Sequence, residues 1–243
     1  MASTAAVLAL VATTLGVGGT PGSGPAPAAA AEVSAVAGSD QQPARVSNAK
    51  LKRVDAIELD AESLVFRHGS KTVAEASMRD SATTVSLLNR LLGTPSRTQT
   101  AEGDGGACFP SGTTFTWGGA VRVAALSTPA KTGNAVEIRI LRDAVRARSG
   151  TEVELSGPGD VQVGDDIHDA IVDAPTSDRV SYGSDDAKAW QLILQEGWHP
   201  SDEPTGDDDS GAAEGTNGVS ALTDDTTVTV LGSPMPVHAE RSC

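Results

Sequence analysis

Ala135-Val136-Glu137-Ile138-Arg139-Ile140-Leu141 is the stretch on which the fold turns. Val136, Ile138 and Ile140 alternate with Glu137 and Arg139. Side chains of an extended chain point to opposite faces in turn, so this period of two predicts a strand with one face in a core and the other toward water. Strands of that kind are typical of antiparallel sheets, because parallel sheets are covered on both faces. Thr226–Leu231, with Val228 and Val230, reads the same way.

Working outward, Thr113–Trp117 and Val121–Leu126 read as a strand pair around Gly118-Gly119, and Leu64–His68 and Lys71–Ala76 as a hairpin around Gly69-Ser70. Thr151–Leu155 and Ala189–Gln195 are further strands. Asp80 or Ser81 caps a helix with Val85, Leu88, Leu91 and Leu92 on one face, which Gly93 and Pro95 stop. A shorter helix with Ile167, Ala170 and Ile171 follows Gly164-Asp165-Asp166 and ends at Pro175. Gln99–Gly106 and the acidic His199–Gly218 read as loops. The fold class predicted is α+β, mainly antiparallel strands with two short helices; an all-β sandwich with helical turns is the alternative. Pro95 and Pro175 lie 80 positions apart and Trp117 and Trp198 lie 81 apart. That spacing points to a duplicated strand–helix–strand unit over residues 51–150 and 151–243, against an unduplicated α+β domain.

The 243 residues carry a formal net charge of −14, which argues against nonspecific nucleic-acid binding and against a polybasic membrane anchor. Aromatic residues are only 3%, so the core must be built mostly from Val, Leu, Ile and Ala. The charge is unevenly placed. Residues 32–150 hold 15 basic and 12 acidic side chains, a net of +3; residues 151–243 hold 3 and 20, a net of −17. Either both halves have ordinary solvated faces, or the run Arg139, Arg142, Arg146, Arg148 packs near acidic residues of the second half.

Residues 1–31 contain no charged side chain. The apolar run Ala5–Val17 is too short to span a bilayer and has the length of a secretory core segment. Small residues suited to cleavage follow, with the best cut after Ala31, before Glu32. No Lys or Arg precedes the run, a departure from the secretory pattern; a disordered Ala-rich tail is the alternative. Residues 1–31 are thus read as a signal peptide, 32–50 as a disordered leader and 51–243 as the folded part. The expected location is extracellular, with no transmembrane segment in the mature chain.

Cys108 and Cys243 are the two cysteines. In an exported chain an even count suggests a disulfide, here Cys108–Cys243, with intermolecular pairing or two free thiols as alternatives. The histidines His68, His168, His199 and His238 are scattered without metal-ligand spacing, and no cofactor or metal is expected. Gly218-Val219-Ser220-Ala221-Leu222 lacks the closing glycine of a nucleophile elbow, and no phosphate-binding glycine loop occurs. Asp202, Glu203, Asp207, Asp208, Asp209 and Glu214 crowd one segment, but Gly211 and Gly218 fall where a calcium loop needs ligands. A solvated acidic loop is the favoured reading. Asp165, Asp166, Asp169 and Asp173 lie on or near one short helix, where side-by-side carboxylates repel unless a cleft holds them apart.

Val85-Ser86-Leu87-Leu88-Asn89-Arg90-Leu91-Leu92-Gly93-Thr94-Pro95, then Cys108, Thr116-Trp117, Val163-Gly164-Asp165 and the final Cys243 form a recurring order. It resembles a group of secreted, largely uncharacterised proteins of high-GC Gram-positive bacteria. The resemblance implies export and a disulfide and implies no activity. The helix-then-strands order is also similar at fold level to tandem-repeat β-lactamase-inhibitor proteins, without the aromatic richness of a tight binding surface. The function expected is a secreted or cell-envelope, non-catalytic protein that binds an unknown protein or envelope partner. An extracellular hydrolase using Asp165, Asp166 or Asp169 is the alternative. A cleft lined by those carboxylates would favour the enzyme, and a sheet face exposing Trp117 or Trp198 would favour binding.

Overall fold

The computed structural model describes residues 46–102, 111–130, 133–183, 188–197, 217–235 and 237. The short helix α1 (Asn48–Leu51) leads into the strands β1 (Ala56–Leu59), β2 (Ser63–His68) and β3 (Lys71–Ser77). Helix α2 (Ser81–Leu92) precedes four strands, β4 (Arg97–Ala101), β5 (Gly112–Trp117), β6 (Val121–Leu126) and β7 (Val136–Ile140). The hairpin β8 (Ala144–Arg146) and β9 (Glu152–Ser156) comes next. Helix α3 (His168–Asp173) then precedes β10 (Arg179–Tyr182), β11 (Ala189–Glu196), β12 (Gly218–Asp224) and β13 (Thr227–Ser233).

These strands build two sheets, one of order β3-β2-β1-β9-β8 and one of order β10-β11-β12-β13-β7-β6-β5-β4. Every pairing is antiparallel except β1 with β9. The fold is therefore α+β and mainly antiparallel. In the larger sheet, β4–β7 and β10–β13 are two four-stranded meanders, each entered from a helix. Their last strands pair, Ile140 opposite Leu231 and Ile138 opposite Ser233, and so join the two meanders into one sheet.

One apolar cluster lies on the inner faces of both sheets. Val136, Ile138 and Ile140 of β7 are fully buried in it, together with Ile57, Leu59, Leu64 and Phe66 of the smaller sheet. Each such side chain stabilises by about 1.5–3 kcal/mol relative to exposure. Helix α2 adds Leu87, Leu88 and Leu91, and α3 adds Ile171. The helix starts where the sequence places it: Asp80 Oδ1 accepts from the Thr83 amide at 2.9 Å. It stops at Gly93, whose φ of +92° is a conformation L side chains rarely adopt. Gly118 and Gly119, with φ of +55° and +68°, make the tight turn between β5 and β6 that matches the right-handed twist of the strands.

Several elements differ from expectation. The start of the Gln99–Gly106 loop belongs to a strand instead, Arg97–Ala101. It is an edge strand with all five residues exposed, so Arg-Thr-Gln-Thr-Ala has no apolar face to reveal its period. The short strands β1, β8 and β10 were not expected at all. The loop read as running to Gly218 gives way to β12 there, whose inward side chains Val219, Ala221 and Thr223 are too small and mixed to stand out. A third helix, α1, begins inside the segment read as leader. Ser47 caps it, Leu51 is 1% exposed, and Arg90 of α2 donates from Nε to Asn48 Oδ1 at 2.8 Å and from Nη2 to the Val46 carbonyl. Among the described residues no helix is long and apolar enough to cross a membrane.

Candidate functional site

Several sequence-derived candidates fall outside the described residues: Cys108, Cys243, Trp198, His199, His238, the acidic residues 202–214 and the leader through residue 45. No described carboxylate lines either of the two depressions beside α2. Asp165 accepts from the Gln162 amide at 2.7 Å, and Asp166 from the His168 amide at 3.0 Å. Hydrogen bonds from the Thr226 side chain and the His168 backbone hold Asp166 below the usual carboxylate range. Asp165, Asp166 and Asp169 are all exposed, and the first two are engaged by their own turn. Two surface depressions flank α2. One, of about 420 Å³, is lined by Asn89, Gly93, Thr94, Pro95 and Arg148; the other, of about 500 Å³, includes Val85, Phe115 and Ala125. Neither is lined by a carboxylate, thiol or imidazole.

Trp117 is not the exposed ring the sequence left open. Alternation along β5 turns it inward, and at 1% exposure its Nε1 donates to the Gly93 carbonyl at 3.0 Å and to Asn89 Oδ1 at 3.3 Å. The arginine run also disperses. Arg139 lies on β7 in the large sheet and Arg146 on β8 in the small one, because the chain changes sheets between them. Arg142 sits beside Gly119 and Arg148 beside Gly93. Between described residues, Arg67 pairs with Glu58 at 2.5 Å and His68 with Asp55 at 2.8 Å, within the first half.

Register brings together a different set. With Val136, Ile138 and Ile140 inward, Arg139 points out, opposite Arg122 of β6; Arg122 faces Thr116 of β5, and Thr116 faces Arg97 of β4. Four adjacent strands thus present Arg97, Thr116, Arg122 and Arg139 in one lateral row on the outward face. Strands lie about 4.8 Å apart, so the Cα atoms of Arg97 and Arg139 are about 14 Å from each other. Arg97 and Arg122 are exposed, and among the described residues neither has a hydrogen-bond or ion-pair partner. Glu137 is the acidic neighbour in the next row. Arg139 donates from Nη1 to the Ile138 carbonyl at 3.0 Å. Its side chain lies over β13, where a Cβ on Gly232 would come within 2.9 Å of Arg139 Cδ.

Beyond Gly232 the same face turns apolar. Val230, Leu222, Gln191 and Val180 succeed one another across β13, β12, β11 and β10, with Ile193 and Tyr182 beside them. Tyr182 is 48% exposed, and its hydroxyl donates to Gln191 Oε1 at 3.1 Å. Gln191 Nε2 in turn donates to the Met235 carbonyl at 3.0 Å, which holds the chain after β13 across this face.

No family model matches the chain, and neither a curated protein nor a solved structure matches it. The outward face of the large sheet therefore has to be read from its own chemistry. It combines the guanidinium groups of Arg97 and Arg122, without partners among the described residues, with half-buried aliphatic side chains and one aromatic ring that has a polar tip. Guanidinium and tyrosine side chains are the groups from which binding hot spots are made.

Proposed function

We propose that the protein is a secreted or cell-envelope, non-catalytic binding protein that takes its partner on the outward face of the eight-stranded sheet. The observation that carries this reading is that the Arg97–Arg122–Arg139 row and the apolar side chains from Val230 to Tyr182 occupy one face of the sheet. Sequential strands deliver those residues from positions remote in the chain. Export is supported by the uncharged apolar segment and the small residues before Glu32. The Cys108–Cys243 disulfide is supported by the even cysteine count of a chain read as exported. The helix-then-meander order, present before β4 and again before β10, supports the reading of two repeats.

The test is recovery of envelope proteins on the immobilised full chain at low and high salt, in parallel for the wild type and for the pair Arg97→Gln, Arg122→Gln. Binding through this face requires a partner that is retained by the wild type and weakened by the pair, with weaker retention at high salt as the Debye length falls from about 10 Å at 0.1 M to about 3 Å at 1 M. Turnover of a cell-wall substrate that Asp165→Asn or Asp169→Asn abolishes would replace this reading with the hydrolase one.

A further inference from the structure

Building on that reading of the sheet face, we infer that its partner is an acidic protein surface that sets carboxylates against the arginine row and an apolar side chain against the cluster of Tyr182, Leu222 and Val230. Three observations carry this. First, Arg97 and Arg122 are exposed cations without partners among the described residues, two strands apart, with Thr116 between them and no carboxylate in their row. Planar guanidinium groups pair bidentately with carboxylates, so neighbouring acidic side chains of one partner can be engaged at once. Second, the apolar cluster continues the same face on β10–β13, and half-buried Val230, Leu222 and Ile193 gain by losing their remaining contact with water. A polyanion such as a phosphate polymer or nucleic acid would satisfy the arginines and leave this cluster wet. Third, residues 151–243 carry a net of −17, so a partner of high uniform negative charge is repelled by the rest of the chain. A protein surface with a few carboxylates beside an apolar anchor meets both halves of the face with less of that penalty.

The row also sets the spacing. Arg122 and Arg139 are one strand apart, and Arg97 is two strands beyond Arg122, or about 10 Å. A helix with carboxylates seven residues apart presents them about 10 Å from each other and matches the separation of Arg97 and Arg122.

The experiment is selection of a random-peptide display library on the immobilised full chain, with the recovered peptides synthesised and their affinities measured in solution. Four proteins are compared: wild type, the pair Arg97→Gln with Arg122→Gln, Tyr182→Ser, and Thr116→Glu. The last keeps both arginines and places a like charge in the partner's way. Thermal unfolding verifies that each variant is folded. The expected result is enrichment of peptides holding Asp or Glu together with an apolar residue. Their binding should weaken about tenfold in the arginine pair and in Thr116→Glu, and several-fold in Tyr182→Ser. Inorganic polyphosphate should compete poorly. Enriched peptides without carboxylates that still lose affinity in these variants would overturn the acidic partner and leave the binding face standing. Peptides that bind all four proteins equally would overturn both. Polyphosphate that competes as well as the peptides, and is indifferent to Tyr182→Ser, would make the row a polyanion site and sink the inference, as would no enrichment at all.

Discussion

Replacing Trp117 by Phe tests how the first meander is tied to its helix. The indole is 1% exposed on the inner face of β5, and its N–H reaches the carbonyl of Gly93, the residue that stops α2. Phe retains a six-membered ring but removes the pyrrole edge, three heavy atoms whose burial and packing are worth about 1.5 kcal/mol. The lost hydrogen bond adds about 0.5–1.5 kcal/mol. The lower part of that range applies, because Gly93 also lines the depression with Asn89, Thr94, Pro95 and Arg148, through which water can reach its carbonyl. The sum is a loss of about 2–3 kcal/mol, which lowers Tm by about 5–10 °C in a domain of this size. Urea unfolding followed by circular dichroism reads this as a lower midpoint at unchanged slope. Asn89→Ala serves as a control and should lose under about 1 kcal/mol, since the shorter bond to Gly93 remains. A Trp117→Phe loss below about 1 kcal/mol, or an Asn89→Ala loss equal to it, would refute the placement of the indole as the tie.

Two carboxylates should respond to pH with opposite sign. The Thr83 hydroxyl and amide hold Asp80 below its usual range, so the stability it contributes is complete above the unfolded-state value of 3.8 and fades as pH falls through the lower folded value. Asp80→Ala should be about 1 kcal/mol less stable than wild type at neutral pH, the gap closing in acid titrations. Burial, and then the Glu58 charge, push Asp60 upward, so the folded state holds its proton more tightly and loses stability as pH rises from 3.8 through the raised value. Asp60→Asn should therefore be more stable than wild type at neutral pH and equal to it in acid; a less stable variant at neutral pH contradicts this. Arg90→Ala should release α1, with faster hydrogen exchange at Lys50 and Leu51 and a loss of about 1 kcal/mol; unchanged exchange would show that the bonds to Asn48 and Val46 do not hold it. Non-reducing peptide mapping of exported protein should link Cys108 to Cys243, a closure worth up to about 4–5 kcal/mol in the chain-entropy account, and two alkylatable thiols would refute it. Mass spectrometry of the same material should find Glu32 or a close neighbour at the amino terminus, and an intact Met1 would refute cleavage.

Much of the fold was legible because burial on one side writes a period into the chain. Val136, Ile138 and Ile140 announce β7, and Leu88 and Leu91 between Asp80 and Gly93 announce α2. Strands without a wholly apolar side were illegible for the same reason. Arg97–Ala101 is exposed throughout, and Gly218–Asp224 turns small and polar residues inward. The candidate face was the least legible part. Arg139 was visible within a run of arginines, but that run is split between two sheets.

The sequence by itself determined which residues alternate, where the first long helix begins and ends, how unevenly charge is divided, and that strands dominate, because propensity, capping and periodicity act between near neighbours. Only the tertiary structure decided which strands are neighbours. The pairing of β7 with β13 joins two meanders whose facing residues are about 90 positions apart, and the registers of β4 to β7 gather Arg97, Arg122 and Arg139 into one row. Those contacts depend on long-range closure of the chain around a shared core. Trp117 shows the same division: its place in a strand was readable locally, but only the packing of α2 over β5 settled that it is buried.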